Sequence, residues 1–156
     1  MKIFAIDPGL VTGFAILDTE DGQYTAWAVD GRGLNKELVS EMVLEHVELE
    51  VAWSNRGQYR LDVVVEDFVL RQGQAVDITP MHTIGAIDAF TEFQNYKYLP
   101  AAHKRGNKAY DISKLLKNVG ITLDGDHKTD AMSLALHHWK IIDLPAALKV
   151  LQEIKK

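Results

Sequence analysis

Cysteine is absent from this chain, proline occurs only four times in 156 residues, and basic side chains are outnumbered, 17 Lys and Arg against 22 Asp and Glu. The missing thiol excludes a disulfide framework, thiolate zinc sites and thiol catalysis, and is compatible with a reducing compartment. No apolar run approaches the length of about 18 residues that a membrane-spanning helix needs. The opening Met1-Lys2-Ile3-Phe4-Ala5-Ile6-Asp7 meets an acid before an apolar signal core can form, so no secretory leader is expected. The net charge of −5 lacks the general positive excess typical of nucleic-acid binders. What remains is an ordinary globular composition, 47% hydrophobic and 25% charged, at a length that suits a single domain over residues 1–156.

The charge is unevenly spread. Residues 18–50 hold nine acids against Arg32 and Lys36, a net of −7. Residues 97–117 hold Lys97, Lys104, Arg105, Lys108, Lys114 and Lys117 against Asp111, a net of +5. Such asymmetry in a small domain suggests one face that meets an anionic partner.

The hydrophobic pattern orders the elements. Lys2–Ile6 reads as a strand, and Asp7-Pro8-Gly9 as a turn in which proline sets φ and glycine permits positive φ. Thr12–Leu17 and Tyr24–Val29 read as two more strands around an Asp21-Gly22 hairpin turn. Over residues 34–53 the period becomes helical. Val39, Val43, Val47 and Val51 recur every four residues beside Leu38, Met42 and Leu49, with Glu37, Glu41, Glu45 and Glu48 opposite. Leu61–Val65, apolar except for Asp62, is the pattern of a strand buried on both faces. Thr79-Pro80 starts a helix to about residue 95, with threonine as cap; Gly85, Ala86, Ala89 and Phe93 share a side on which small residues would let it lie close on a sheet. Then come a strand at 97–101, a basic loop at 103–108, a short helix at 111–119, a helix at 128–141 and a last helix from Pro145. This order of elements predicts an α/β domain with five strands, antiparallel first and parallel afterwards.

Four residues carry the chemistry. Asp7 ends the first strand, Glu66 ends the buried one, and His127 and Asp130 stand three apart at the start of a late helix, on one face of a turn. Functional groups in open α/β sheets gather at strand carboxyl ends. Carboxylates converging there repel unless a cation lies between them. Oxygen-rich ligands favour Mg²⁺ or Mn²⁺. Two such ions, about 3.5–4 Å apart, activate water and stabilise the leaving oxygen of a phosphodiester.

Residues 3–17, Ile-Phe-Ala-Ile-Asp-Pro-Gly-Leu-Val-Thr-Gly-Phe-Ala-Ile-Leu, closely resemble the opening of the RuvC-type Holliday junction resolvases. Val63-Val64-Val65-Glu66 looks like that family's second acidic motif, and His127-Lys128-Thr129-Asp130-Ala131 like its last. The resemblance spans about residues 1–142. It implies an RNase H-like fold, a five-stranded mixed sheet flanked by helices, a homodimer, and cleavage of four-way DNA junctions with two Mg²⁺ or Mn²⁺ ions. The matched catalytic and metal positions are Asp7, Glu66, His127 and Asp130. Candidate DNA contacts are Phe68, beyond Glu66, and the cations Arg71, Lys104, Arg105, Lys108 and Lys128. The implied location is the cytoplasm, that of a host for a virus-encoded relative. The loop at 101–108 matches the family's basic segment only loosely, and Asp67 adds an acid beside Glu66. Broader branched-DNA substrates are therefore compatible with the pattern.

Other readings fit less well. A nuclease of structured RNA with a similar opening would carry a cation after the first aspartate, where Leu10-Val11-Thr12 has none. An actin-like kinase needs two domains around its nucleotide, more than 156 residues hold. A non-catalytic branched-DNA-binding module would not require all four ligand candidates.

Overall fold

Successive side chains of a strand point to opposite faces of its sheet, and the N-terminal third of the chain is built on that alternation. Strands β1 (Lys2–Asp7), β2 (Val11–Asp18) and β3 (Tyr24–Asp30) form an antiparallel meander. Helix α1 (Lys36–Gly57) then crosses over to β4 (Leu61–Val65), which joins β1 in parallel. Helices α2 (Thr79–Gln94) and α3 (Asp126–Ile142) follow. The computed structural model describes residues 1–66, 77–94, 123–143 and 145–147. Within them the sheet is mixed and four-stranded, in the order β3-β2-β1-β4. The strand expected at 97–101, the basic loop at 103–108 and the helix at 111–119 lie outside the described residues.

The turn after β1 is closed differently from the expectation. Gly9 does not adopt positive φ. Instead the buried Thr12 hydroxyl donates to the Gly9 carbonyl at 2.9 Å and accepts from its N–H at 3.3 Å. Gly22, in the β2–β3 hairpin, does need its φ of 73°, and its N–H donates to the Asp18 carbonyl.

Each face of the sheet has its own core. Phe4, Ile6, Phe14, Val63 and Val65 pack on Val43, Val47 and Val51 of α1 and Ile87 of α2. Phe4, Phe14 and Trp27 stack across three strands on this side. On the opposite face Ile3, Ala5, Ala15, Leu17 and Val64 meet Ala131, Met132, Ala135, Leu136 and Trp139 of α3. The four-residue valine row of α1 is buried as predicted, but Leu38 and Leu49 are exposed. Each is one or two positions off that row, and one residue turns a helix by about 100°.

Helix α2 corrects a second expectation. Gly85 and Ala89 face outward, and a Cβ at Gly85 would meet nothing within 4 Å. The helix packs against α1, where Ser40 Oγ and Thr83 Oγ1 lie 3.3 Å apart. Its start is held by Asp77, whose Oδ1 accepts from the Thr79 N–H, rather than by Thr79 as a cap. Met81 on α2 is exposed, whereas Ile84 and Phe90 pack on the core.

Glu50 is the one glutamate buried within α1. Burial pushes its carboxyl pKa up, and the nearby Lys2 charge only partly offsets this. A carboxyl whose native pKa is raised contributes stability below its unfolded pKa, and that stability is lost as pH rises through the native value. Glu50→Gln is therefore expected to raise Tm at pH 7, by about 2–4 °C for each kcal/mol recovered. Thermal melts should show the gain vanish below about pH 4, where the unfolded carboxyl is protonated as well. A gain independent of pH would rule out this origin.

Candidate active site

The alternation that builds the α3 face also places the acids. On β1 the series Ile3, Ala5 continues to Asp7; on β4, Asp62 and Val64 continue to Glu66; on β2, Leu17 and Ala15 run back to Gly13. The parallel register pairs Ile6 with Val65, and the Glu66 N–H donates to the Ile6 carbonyl at 2.9 Å. One position further, Asp7 and Glu66 stand side by side at the carboxyl ends of adjacent strands, which run about 4.8 Å apart.

Helix α3 begins over this edge. Gly125, at φ 100°, turns the chain into it, and no side chain caps its first turn. Asp126 lies inside the first turn, where an acid suits the helix dipole. His127 Nδ1 and Asp7 Oδ2 are hydrogen-bonded at 2.9 Å. With the carboxylate ionised, the proton of that bond resides on Nδ1. Asp7 is 8% exposed, while His127 is open to solvent on its other side. Asp130, half-buried, follows one turn later.

This meeting depends on Gly13, the cross-strand partner of Asp7. A Cβ built on Gly13 would overlap the carbonyl oxygen and carbon of His127. Main chain therefore lies on main chain where α3 enters the sheet. Neither Gly13 nor Thr12 stands out in the sequence as a functional position. The available signal was a glycine inside a strand, which often marks a close backbone approach.

Lys128 Nζ donates to Asp124 Oδ1 at 2.8 Å, and this contact holds the Asp124 pKa below the usual carboxylate range. The other predicted DNA contacts, Phe68, Arg71, Lys104, Arg105 and Lys108, lie outside the described residues. Among the described residues, no three His, Asp or Glu side chains stand close enough together to hold a metal ion. The donor chemistry at this edge nevertheless fits a hard divalent cation: three carboxylates and one imidazole, two of them already in contact.

A mixed sheet with three antiparallel strands, a parallel fourth and helices on both faces defines the RNase H-like α/β class. Within that class the fold is RuvC-like. The structure of Thermus thermophilus RuvC in complex with a Holliday junction substrate superimposes with a TM-score of 0.69 at 12% identity, covering 94% of this chain and 97% of that one. A second Thermus thermophilus RuvC structure gives 0.63 at 18% identity, covering 91% and 96%. No protein-family model matches the chain, and no curated protein is significantly similar to it. Among the described residues, no helix is long and apolar enough to cross a membrane.

Proposed function

We propose that this chain is a divalent-metal-dependent endonuclease that hydrolyses phosphodiesters in four-way and other branched DNA junctions. The observation that carries the reading is the Asp7–His127 contact at the carboxyl end of β1, beside Glu66, in a RuvC-like fold. Asp7, Glu66, His127 and Asp130 would hold Mg²⁺ or Mn²⁺. Two such ions, when bound, supply Lewis acidity and a nucleophilic water at neutral pH. Asp7, central on the strand edge, is assigned as the shared ligand. His127 keeps its proton at Nδ1 towards Asp7 and leaves Nε2 on the side away from that bond.

DNA would be held by phosphate contacts from Lys104, Arg105 and Lys108, with Arg71 and Lys128 closer to the acids in sequence and Phe68 as the aromatic to stack on an unpaired base. Two symmetric nicks favour a C2 homodimer. Cleavage of a four-way junction, a flap, a linear duplex and a structured RNA in Mg²⁺, Mn²⁺ and EDTA tests the proposal. We expect metal-dependent nicking of the junction, weaker cutting of the flap and none of the duplex. Cutting confined to RNA, or unaffected by EDTA, would overturn it.

A further inference from the structure

Helix α3 carries His127 and Asp130 to the strand edge, and its buried apolar side chains hold it on the sheet through contacts that are not directional. That face of the helix carries Ala131 and Ala135 beside the larger Met132, Leu136 and Trp139. A directional contact lies at the far end. Asp62 and His138 are 3% and 7% exposed, and His138 Nε2 and Asp62 Oδ2 are hydrogen-bonded at 3.1 Å. Arg60 also bonds the Asp62 carboxylate, through Nε at 2.9 Å and Nη2 at 3.1 Å, but from two residues away on the same chain segment. Arg60 therefore helps to balance the buried charge, whereas only the His138 bond ties that charge to the helix.

The placement of this pair is specific. His127 and His138 are separated by about three turns, so they share a face of α3, about 17 Å apart along its axis. Asp62 pairs with Ile3 on β1, four positions below Asp7, about 13 Å along the strands. The helix runs antiparallel to β1 and β4, with His127 on Asp7 at the carboxyl edge and His138 on Asp62 near the other end. Two polar attachments at opposite ends fix both the axial position and the rotation of α3. A buried polar pair is well suited to specifying register, because any slip leaves its members unpaired.

We propose that Asp62 and His138 are a positioning pair that sets the register of α3 on the sheet, and through it the place of His127 and Asp130 beside Asp7 and Glu66. The effect on cleavage rests on the nuclease reading; the effect on helix register does not. The test replaces both partners by apolar residues, Asp62→Val with His138→Leu, which removes the bond without stranding a charge. Such replacements are often neutral or stabilising. In the metal-free protein, proton NMR contacts between Gly13 and His127 report the register directly. We expect an unchanged or higher Tm, weakened or doubled Gly13–His127 contacts, and Mn²⁺ affinity (by electron paramagnetic resonance) and junction cleavage each lower by roughly 10- to 100-fold. Native Gly13–His127 contacts in the double variant would overturn the proposal. If those contacts change but even the unaltered protein cuts no junction, the nuclease reading falls and the positioning role stands. Should the double variant not fold, His138→Gln, which keeps a donor, is compared with His138→Met, which has none. Glutamine should preserve the contacts and methionine should lose them; equal behaviour would overturn the proposal.

Discussion

Asp7→Asn should reduce cleavage of a four-way junction in Mg²⁺ by at least about a hundredfold, the scale of losing one preorganised electrostatic group from a reacting centre. The substitution keeps the size of the side chain and leaves its amide able to hydrogen-bond His127, so the entry of α3 into the sheet is retained. What disappears is the negative charge at the position assigned to both cations. Junction affinity should be unchanged or stronger, because the phosphate no longer approaches a carboxylate of like sign. Single-turnover cleavage, gel-shift binding and thermal melting separate these effects. Near-normal cutting by Asp7→Asn with a native Tm would remove Asp7 from the reaction.

Gly13→Ala should be almost as damaging, although Gly13 brings no functional group to the site. The added methyl would overlap the His127 carbonyl, so the conflict is between two stretches of main chain and no rotamer can relieve it. Either β2 or the first turn of α3 must shift. Overpacking of this kind costs about 1–3 kcal/mol. Displacing catalytic groups by about 1 Å can cost roughly a hundredfold in rate, and the Asp7–His127 contact lies directly at the point of collision. Gly85→Ala is the matched control. It lies on the open face of α2, where a Cβ meets nothing, and alanine there favours the helix. Calorimetry and junction cleavage should show a loss of both stability and rate for Gly13→Ala and no loss of stability for Gly85→Ala. Full activity of Gly13→Ala would mean that the backbone approach of α3 has no part in forming the site.

Much of this arrangement is local and therefore legible in the chain. The β-favouring run Lys2–Ile6, the continuous apolar run Leu61–Val65, the valine row of α1 and the Asp-Gly turn before β3 are short-range patterns, and the elements appear where the patterns put them. Asp7 and Glu66 were recognisable as acids ending strands, because a carboxylate directly after a buried run needs a partner. The side chains around them were not legible in the same way. Which face α2 presents depended on its packing against α1 through Ser40 and Thr83, so its small residues point outward despite their suitability for a sheet. Asp62 looked like an interruption in an apolar strand, and only the return of α3, 76 residues later, supplied His138 to pair with it. Gly13 likewise became meaningful once the first turn of that helix lay on it. Periodicity follows from the geometry of the backbone itself, whereas a contact between distant segments depends on the path of everything between them.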